Sequence, residues 1–211
     1  TIGENAFAGC PIEKATIPTN AIPFVKNSAL KEVVITSGTE IPANAFEGCT
    51  NLISIVIADS ITTIGENAFA GCPIEKATIP ALAIPFIKNS ALKEVVITSG
   101  AEIPANAFAD CANLTSITLP ATVTSIDISA FKGCAALATI TVAEENANYK
   151  SIDGNLYSED GKILLKYAIG KAEESFTLPE EVTEIGACVF MDSKLKEIII
   201  PKAVTSIDVS A

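Results

Sequence analysis

The decapeptide TIGENAFAGC stands at residues 1–10 and again, letter for letter, at residues 63–72. Laid on itself with an offset of 62, the chain matches over residues 1–49 and 63–111 except at Thr19, Asn20, Val25, Thr39, Glu47 and Gly48. So close a copy marks a duplication, and it favours folds in which equivalent pieces take equivalent places. A shorter period runs inside the long one. Leu30, Leu52, Ile74, Leu92, Leu114 and Leu137 each open a segment of the L-x-x-I-x-I type, at steps of 22, 22, 18, 22 and 23 residues. Ile12 and Leu195 head equivalent segments near either end. Periods of roughly 20 to 30 residues with this pattern predict a solenoid with one short parallel strand per coil.

Alternation identifies the strand. In LKEVVIT (residues 30–36), Leu30, Val33 and Ile35 point inward while Glu32, Val34 and Thr36 point out. Proline follows the strand at Pro18, Pro80, Pro120, Pro179 and Pro201, where a missing N–H does not break the ladder. A second short element, as in ITTIGENAF (61–69) and VTSIDISAF (123–131), then leads to a small-residue turn holding an Ala-Phe pair. Phe7, Phe46, Phe69, Phe108, Phe131 and Phe190 recur there, with Phe24 and Phe86 in the 18-residue coils, and predict a stacked phenylalanine spine. On this reading Ile2 and Phe7 are core rungs, Gly3 and Gly9 are bends, and Cys10 is a small inward-facing filler.

The phrases LTSITLPATVTSIDISAFKGC (114–134) and LISIVIADSITTIGENAFAGC (52–72) resemble the BspA-like leucine-rich repeats of bacterial surface proteins, over essentially the whole chain. NYKSIDGNLYSEDGKILLKY (148–167) resembles a hairpin insertion that recurs in that family, whereas the 18-residue coils around AIPFVKNS and AIPFIKNS are shorter than its usual unit. The resemblance implies a mostly β leucine-rich-repeat solenoid, a right-handed superhelix with short parallel strands on one face and loops or short helical turns on the other. We expect one solenoid over residues 1–211, interrupted at about 144–170 by a hairpin-bearing insertion. The chain opens without a Met, inside a repeat, and SIDVSA (206–211) copies SIDISA (125–130) but stops before its Phe, so it reads as a piece of a longer protein.

Composition removes several functions. Arg, His and Trp are absent, the cations are fourteen Lys, and the formal net charge is −11, the opposite of a nucleic-acid-binding balance. Without histidine there is no Ser-His-Asp triad, no imidazole metal site and no histidine pH switch. No apolar run approaches the roughly 18 to 20 residues that cross a bilayer.

Five of the six cysteines (Cys10, Cys49, Cys72, Cys111, Cys134) share one repeat position, where Ser28, Ser90 and Ser193 stand in other coils. Replacement by serine argues for a size requirement, so buried thiols are favoured over a disulfide or a metal site; only Cys49 with Cys72 and Cys111 with Cys134 lie in adjacent coils. The acids are scattered. Their one local concentration, Glu144, Glu145, Asp153, Glu159 and Asp160, includes two Asp-Gly pairs suited to hairpin turns, in preference to a calcium loop or a catalytic carboxylate pair. No cofactor, metal or catalytic residue is expected.

The outward strand positions remain as candidate sites. One column reads Thr16, Val34, Val56, Thr78, Val96, Thr118, Thr141, Thr177 and Ile199; the next includes Glu32 and Glu94 beside Lys14 and Lys76, opposite charges on neighbouring strands. β-Branched residues suit strands whatever they face. Solenoid sheets also present extended binding surfaces, and Thr16, Glu32, Val34, Val56, Thr78, Glu94, Val96, Thr118 and Thr141 are the expected partner-binding set. The family resemblance implies an extracellular or cell-surface module that adheres to a protein or another macromolecule. A passive spacer is the alternative, and a polysaccharide-acting enzyme is the weakest reading.

Overall fold

The computed structural model describes residues 7, 9–26 and 29–211, which fall into two compact units, Thr1–Ser99 and Gly100–Ala211. The roles expected of Ile2 and Gly3 lie outside the described residues. In unit 1 the chain runs through β1 (Lys14–Pro18), a 3-10 turn (Thr19–Ala21), α1 (Ile22–Val25), β2 (Glu32–Ser37), β3 (Glu40–Ile41), β4 (Ser54–Ile57) and β5 (Thr63–Ile64). It continues through β6 (Lys76–Ile79), a second 3-10 turn (Ala81–Ala83), α2 (Ile84–Ile87) and β7 (Glu94–Ile97). β1, β2, β4, β6 and β7 lie side by side, all parallel, one from each coil. β3 and β5 pair in parallel as a second ladder. The 18-residue coils close differently, because Ile-Pro-Phe-Val and Ile-Pro-Phe-Ile each form a single helical turn with proline in its first positions, where its missing N–H is not needed.

Unit 2 holds β8 (Glu102–Ile103), β9 (Ser116–Leu119), β10 (Ser125–Ile126), β11 (Thr139–Val142), β12 (Tyr149–Ile152), β13 (Asn155–Ser158), β14 (Ile163–Lys166), β15 (Ser175–Thr177), β16 (Glu184–Ile185), β17 (Glu197–Ile199) and β18 (Ser206–Ile207). β9 with β11, β8 with β10 and β15 with β17 are parallel pairs. The remaining strands form one sheet in the order β12-β13-β14-β16-β18, whose first three are antiparallel neighbours. Asp153 and Gly154 join β12 to β13 with φ of 49° and 74°, the positive pair that a two-residue hairpin turn needs. That turn docks on β11: Ile140 N–H donates to the Gly154 carbonyl at 2.8 Å, and Ser151 Oγ donates to the Ile140 carbonyl at 2.9 Å while accepting Val142 N–H at 2.8 Å. The column expected to run from Thr141 to Thr177 is therefore interrupted. The hairpin takes the edge of β11, and no described ladder joins β11 to β15.

The interior is aliphatic, and the alternation of β2 is as expected: Val33 and Ile35 are buried, Val34 half-buried and Thr36 exposed. The phenylalanines stack in pairs, not as one spine. Phe46 and Phe69 lie 5.4 Å apart and 10° from parallel, Phe108 and Phe131 6.0 Å apart and 3° from parallel, while Phe190 tilts against Tyr167 and Phe176. Phe24 and Phe86 are half-buried. Two expected core positions are corrected: Phe7 is 43% exposed and Cys10 is exposed, because among the described residues only the coils that follow can cover them. Gly9 does take the left-handed bend, at φ 77°.

Cys49, Cys72, Cys111 and Cys134 are buried, and no disulfide joins any of the six cysteines. The Cys72 thiol donates to the Phe46 carbonyl and that of Cys134 to the Phe108 carbonyl, each at 3.1 Å, so this small residue also ties one coil to the one before it. Burial, reinforced by the neighbouring Cys49, pushes the Cys72 pKa up to about 11.

Candidate functional site

The outer face of unit 1 is built by register. Thr16 stands opposite Val34, Val34 opposite Val56, Val56 opposite Thr78, and Thr78 opposite Val96. Because side chains alternate along a strand, all five project on the side away from the core. Thr16 and Val96 are exposed; Val34, Val56 and Thr78 are half-buried against their neighbours. In unit 2, Thr118 lies opposite Thr141 and Thr177 opposite Ile199, as two separate pairs. The nine expected residues are thus seven from unit 1 and two from unit 2, each aligned within its own unit.

Charge on this face is organised in clamps. Lys14 meets Glu32 at 2.9 Å and Lys76 meets Glu94 at 3.0 Å, as the strand reading anticipated. One column over, Lys31 meets Glu13 at 3.0 Å and Lys93 meets Glu75 at 2.9 Å. All eight side chains are substantially exposed, so each pair contributes about 0 to 1 kcal/mol. Their main effect is on surface character. Between the two clamped sets lies the coil of β4, whose outward residues Ile53, Ser54 and Val56 carry no charge. Ile53, 39% exposed, was not among the expected site residues. Its place, the first x of L-x-x-I, was the available signal.

The acidic concentration in unit 2 is turn chemistry. Asp160 accepts Ser158 Oγ at 2.7 Å and Lys162 N–H at 3.1 Å, and these bonds hold its pKa below the usual carboxylate value. Asp127 is lowered in the same way by the hydroxyl and N–H of Ser129. Among the described residues no three His, Cys, Asp or Glu side chains converge as a metal site would require, and no helix is long and apolar enough to cross a membrane.

With this geometry in hand, the repeat can be compared with known ones. The BspA-type leucine-rich repeat region matches in six copies, over residues 1–30, 23–100 and 85–211. The chain belongs to this family. No curated protein matches it. Among solved structures, a leucine-rich repeat protein from Eubacterium ventriosum is 25% identical with a TM-score of 0.58, over 92% of this chain and 55% of that one. The pneumococcal vaccine antigen PcpA is 24% identical with a TM-score of 0.59, over 94% of this chain and 47% of that one, and shows the shared fold. The BspA-type chain thus spans about half the length of these relatives, and its parallel ladders and Ala-Phe turns are those of a leucine-rich-repeat solenoid.

Proposed function

We propose that the chain is part of an extracellular or cell-surface binding module, whose strands offer their outer face to a protein partner. The carrying observation is the in-register column Thr16, Val34, Val56, Thr78 and Val96, crossed by the uncharged Ile53-Ser54-Val56 row between two sets of neutralised charges. Aligned branched side chains with few free charges suit a partner surface that is itself apolar and hydrogen-bonding. The same reading treats residues 1–211 as one solenoid segment with a hairpin-bearing insertion at about 144–170. Scattered acids, engaged in turns and clamps, favour binding over catalysis. The surface relationship of the family supports an exported location.

The test is a triple variant, Val34→Lys, Val56→Lys and Val96→Lys, set beside the parent by surface plasmon resonance against immobilised extracellular-matrix and bacterial surface proteins. The substituted side chains project away from the core, so the fold is retained, with a melt lowered only modestly by the facing lysines at 34 and 56, and partner capture is lost. Undiminished capture by the triple variant refutes the assigned face. A parent that captures nothing across the panel is the outcome for a passive spacer.

A further inference from the structure

The coils of unit 2 stack through their Ala-Phe turns as well as their strands. Phe108 N–H donates to the Ala130 carbonyl and Asp110 N–H to the Lys132 carbonyl, both at 2.8 Å. Farther along, Cys188 N–H and Phe190 N–H donate to the Val209 and Ala211 carbonyls at 3.3 Å. The coil between these two pairs has no such turn. After β14 ends at Lys166 the chain returns directly through Tyr167, Ala168 and Ile169 to Gly170, whose N–H bonds the Leu137 carbonyl at 2.7 Å. Tyr167 N–H donates to the Val189 carbonyl at 3.4 Å, so the chain itself fills the inner part of this rung, and only the outer, turn part is missing between the Phe131 turn and the Phe190 turn.

The gap is a cleft of two lobes, of about 160 and 200 Å³, which share Ile128, Phe131 and Lys166. Each lobe is larger than the roughly 150 Å³ that holds a benzene ring. Its walls carry complementary backbone groups. Phe131 N–H and Gly133 N–H, which correspond by repeat position to the donors of Phe108 and Asp110, have no hydrogen-bond partner among the described residues. Across the cleft, the carbonyls of Ala187 and Met191 accept no hydrogen bond from a described residue. Successive rungs lie about 4.7 to 4.9 Å apart, so omission of the outer turn leaves room there for a single backbone.

The side chains narrow the choice of occupant. Ile128, 58% exposed, and Met191, 42% exposed, line the cleft as apolar surface that no described residue covers. Lys166 lies in both lobes; its ammonium donates to the Cys188 carbonyl at 3.4 Å, and burial lowers its pKa against the smaller opposing pull of neighbours that include Asp192. Lys132 and Asp192 line the second lobe, and Asp127 lines the first with its carboxylate already engaged by Ser129.

We propose that this cleft binds a short acidic peptide segment as the missing rung. The peptide backbone spans from the Phe131 and Gly133 N–H groups to the Ala187 and Met191 carbonyls, an apolar side chain lies between Ile128 and Met191, and a carboxylate meets Lys166. Addition of a strand or turn to an incomplete hydrogen-bonded stack is a general mode of peptide recognition, with side-chain contacts supplying selectivity. The site is distinct from the outer strand face, and either assignment can fail without the other.

The test is heteronuclear NMR titration of the whole chain with the blocked peptide acetyl-AVELA-amide. Saturable shifts centred on the Phe131 and Gly133 amides at millimolar peptide are expected. Replacing the peptide Glu by Gln, or Lys166→Met in the protein, weakens binding by about tenfold through loss of the charge-assisted contact. Ile128→Asp, at an exposed site that leaves the melt unchanged, weakens it as well. The proposal is overturned if neither amide shifts at millimolar peptide, if the shifts fall on the outer strand face, or if the Gln peptide and Lys166→Met both bind as tightly as the originals.

Discussion

Phe7 and Phe69 occupy the same place in two identical decapeptides, yet one is 43% exposed and the other 4%. Local propensity therefore cancels in a comparison of Phe7→Ala with Phe69→Ala, leaving the neighbouring coils to decide the cost. A buried phenylalanine removes about 150 to 250 Å² from water, which at about 25 cal/mol/Å² sets a ceiling of roughly 4 to 6 kcal/mol. A compact unfolded chain lowers that ceiling, and Phe→Ala changes in packed cores cost about 3 to 5 kcal/mol. Phe69 also loses its stacked partner Phe46 at 5.4 Å. Phe69→Ala should therefore lower the melting temperature by roughly 6 to 20 °C for a chain of this size. Phe7→Ala leaves no enclosed cavity and should cost about 1 to 2 kcal/mol. Urea and thermal melts of both variants, with circular dichroism and fluorescence compared for coincidence, measure the difference. Equal losses, or a loss below about 1 kcal/mol for Phe69→Ala, would refute the argument that stacked coils, not the repeated phrase itself, create the core.

Alkaline pH should destabilise the fold through two buried acids. Tyr157 rises from 10.0 to about 12 and Cys72 from 9.0 to about 11, so both stay protonated in the fold at pH values where the unfolded chain ionises. Their contribution is complete below pH 9 and is lost as pH climbs through about 12; Tyr157→Phe with Cys72→Ser should flatten the pH profile of the melt over that window. Gly170→Ala should be strongly destabilising, since a Cβ there would lie 2.1 Å from the backbone of Ala136. Its melt should fall well below that of Gly9→Ala, where no atom lies within 4 Å and the positive φ supplies the strain.

The repeat made the inward residues legible because burial in a solenoid is set by phase. Once Leu30, Val33 and Ile35 are assigned inward, the coils headed by Leu52, Ile74, Leu92, Leu114 and Leu137 follow, as do the Lys14–Glu32 and Lys76–Glu94 pairs, whereas Ile198 and Ile200 in the segment headed by Leu195 are exposed. What the period could not show was how each coil departs from the average. Asn44, Asn67 and Asn106 hold the Ala-Phe turn at φ near 57°, a left-handed position that asparagine tolerates, and Cys188 occupies it at 54° without any such signal. The missing rung beside Lys166 was equally hidden, since it arises from an absent turn and only the stacking of its neighbours reveals the space. The outer face stood between these cases. Its column was readable, but Ile53 was passed over because the strand pattern treats that position as filler.

The clamps on the outer face have a consequence for how a duplicated chain finds its own arrangement. Adjacent coils carry the two signs in opposite order, Glu13-Lys14 against Lys31-Glu32 and Glu75-Lys76 against Lys93-Glu94. Were a coil to dock on its twin from the other copy, Glu13 would face Glu75 and Lys14 would face Lys76, a repulsive match on neighbouring strands. Identical coils are thus kept from stacking directly on each other, like connectors keyed against their own kind, and the alternating order favours a neighbour of the opposite polarity as the chain folds.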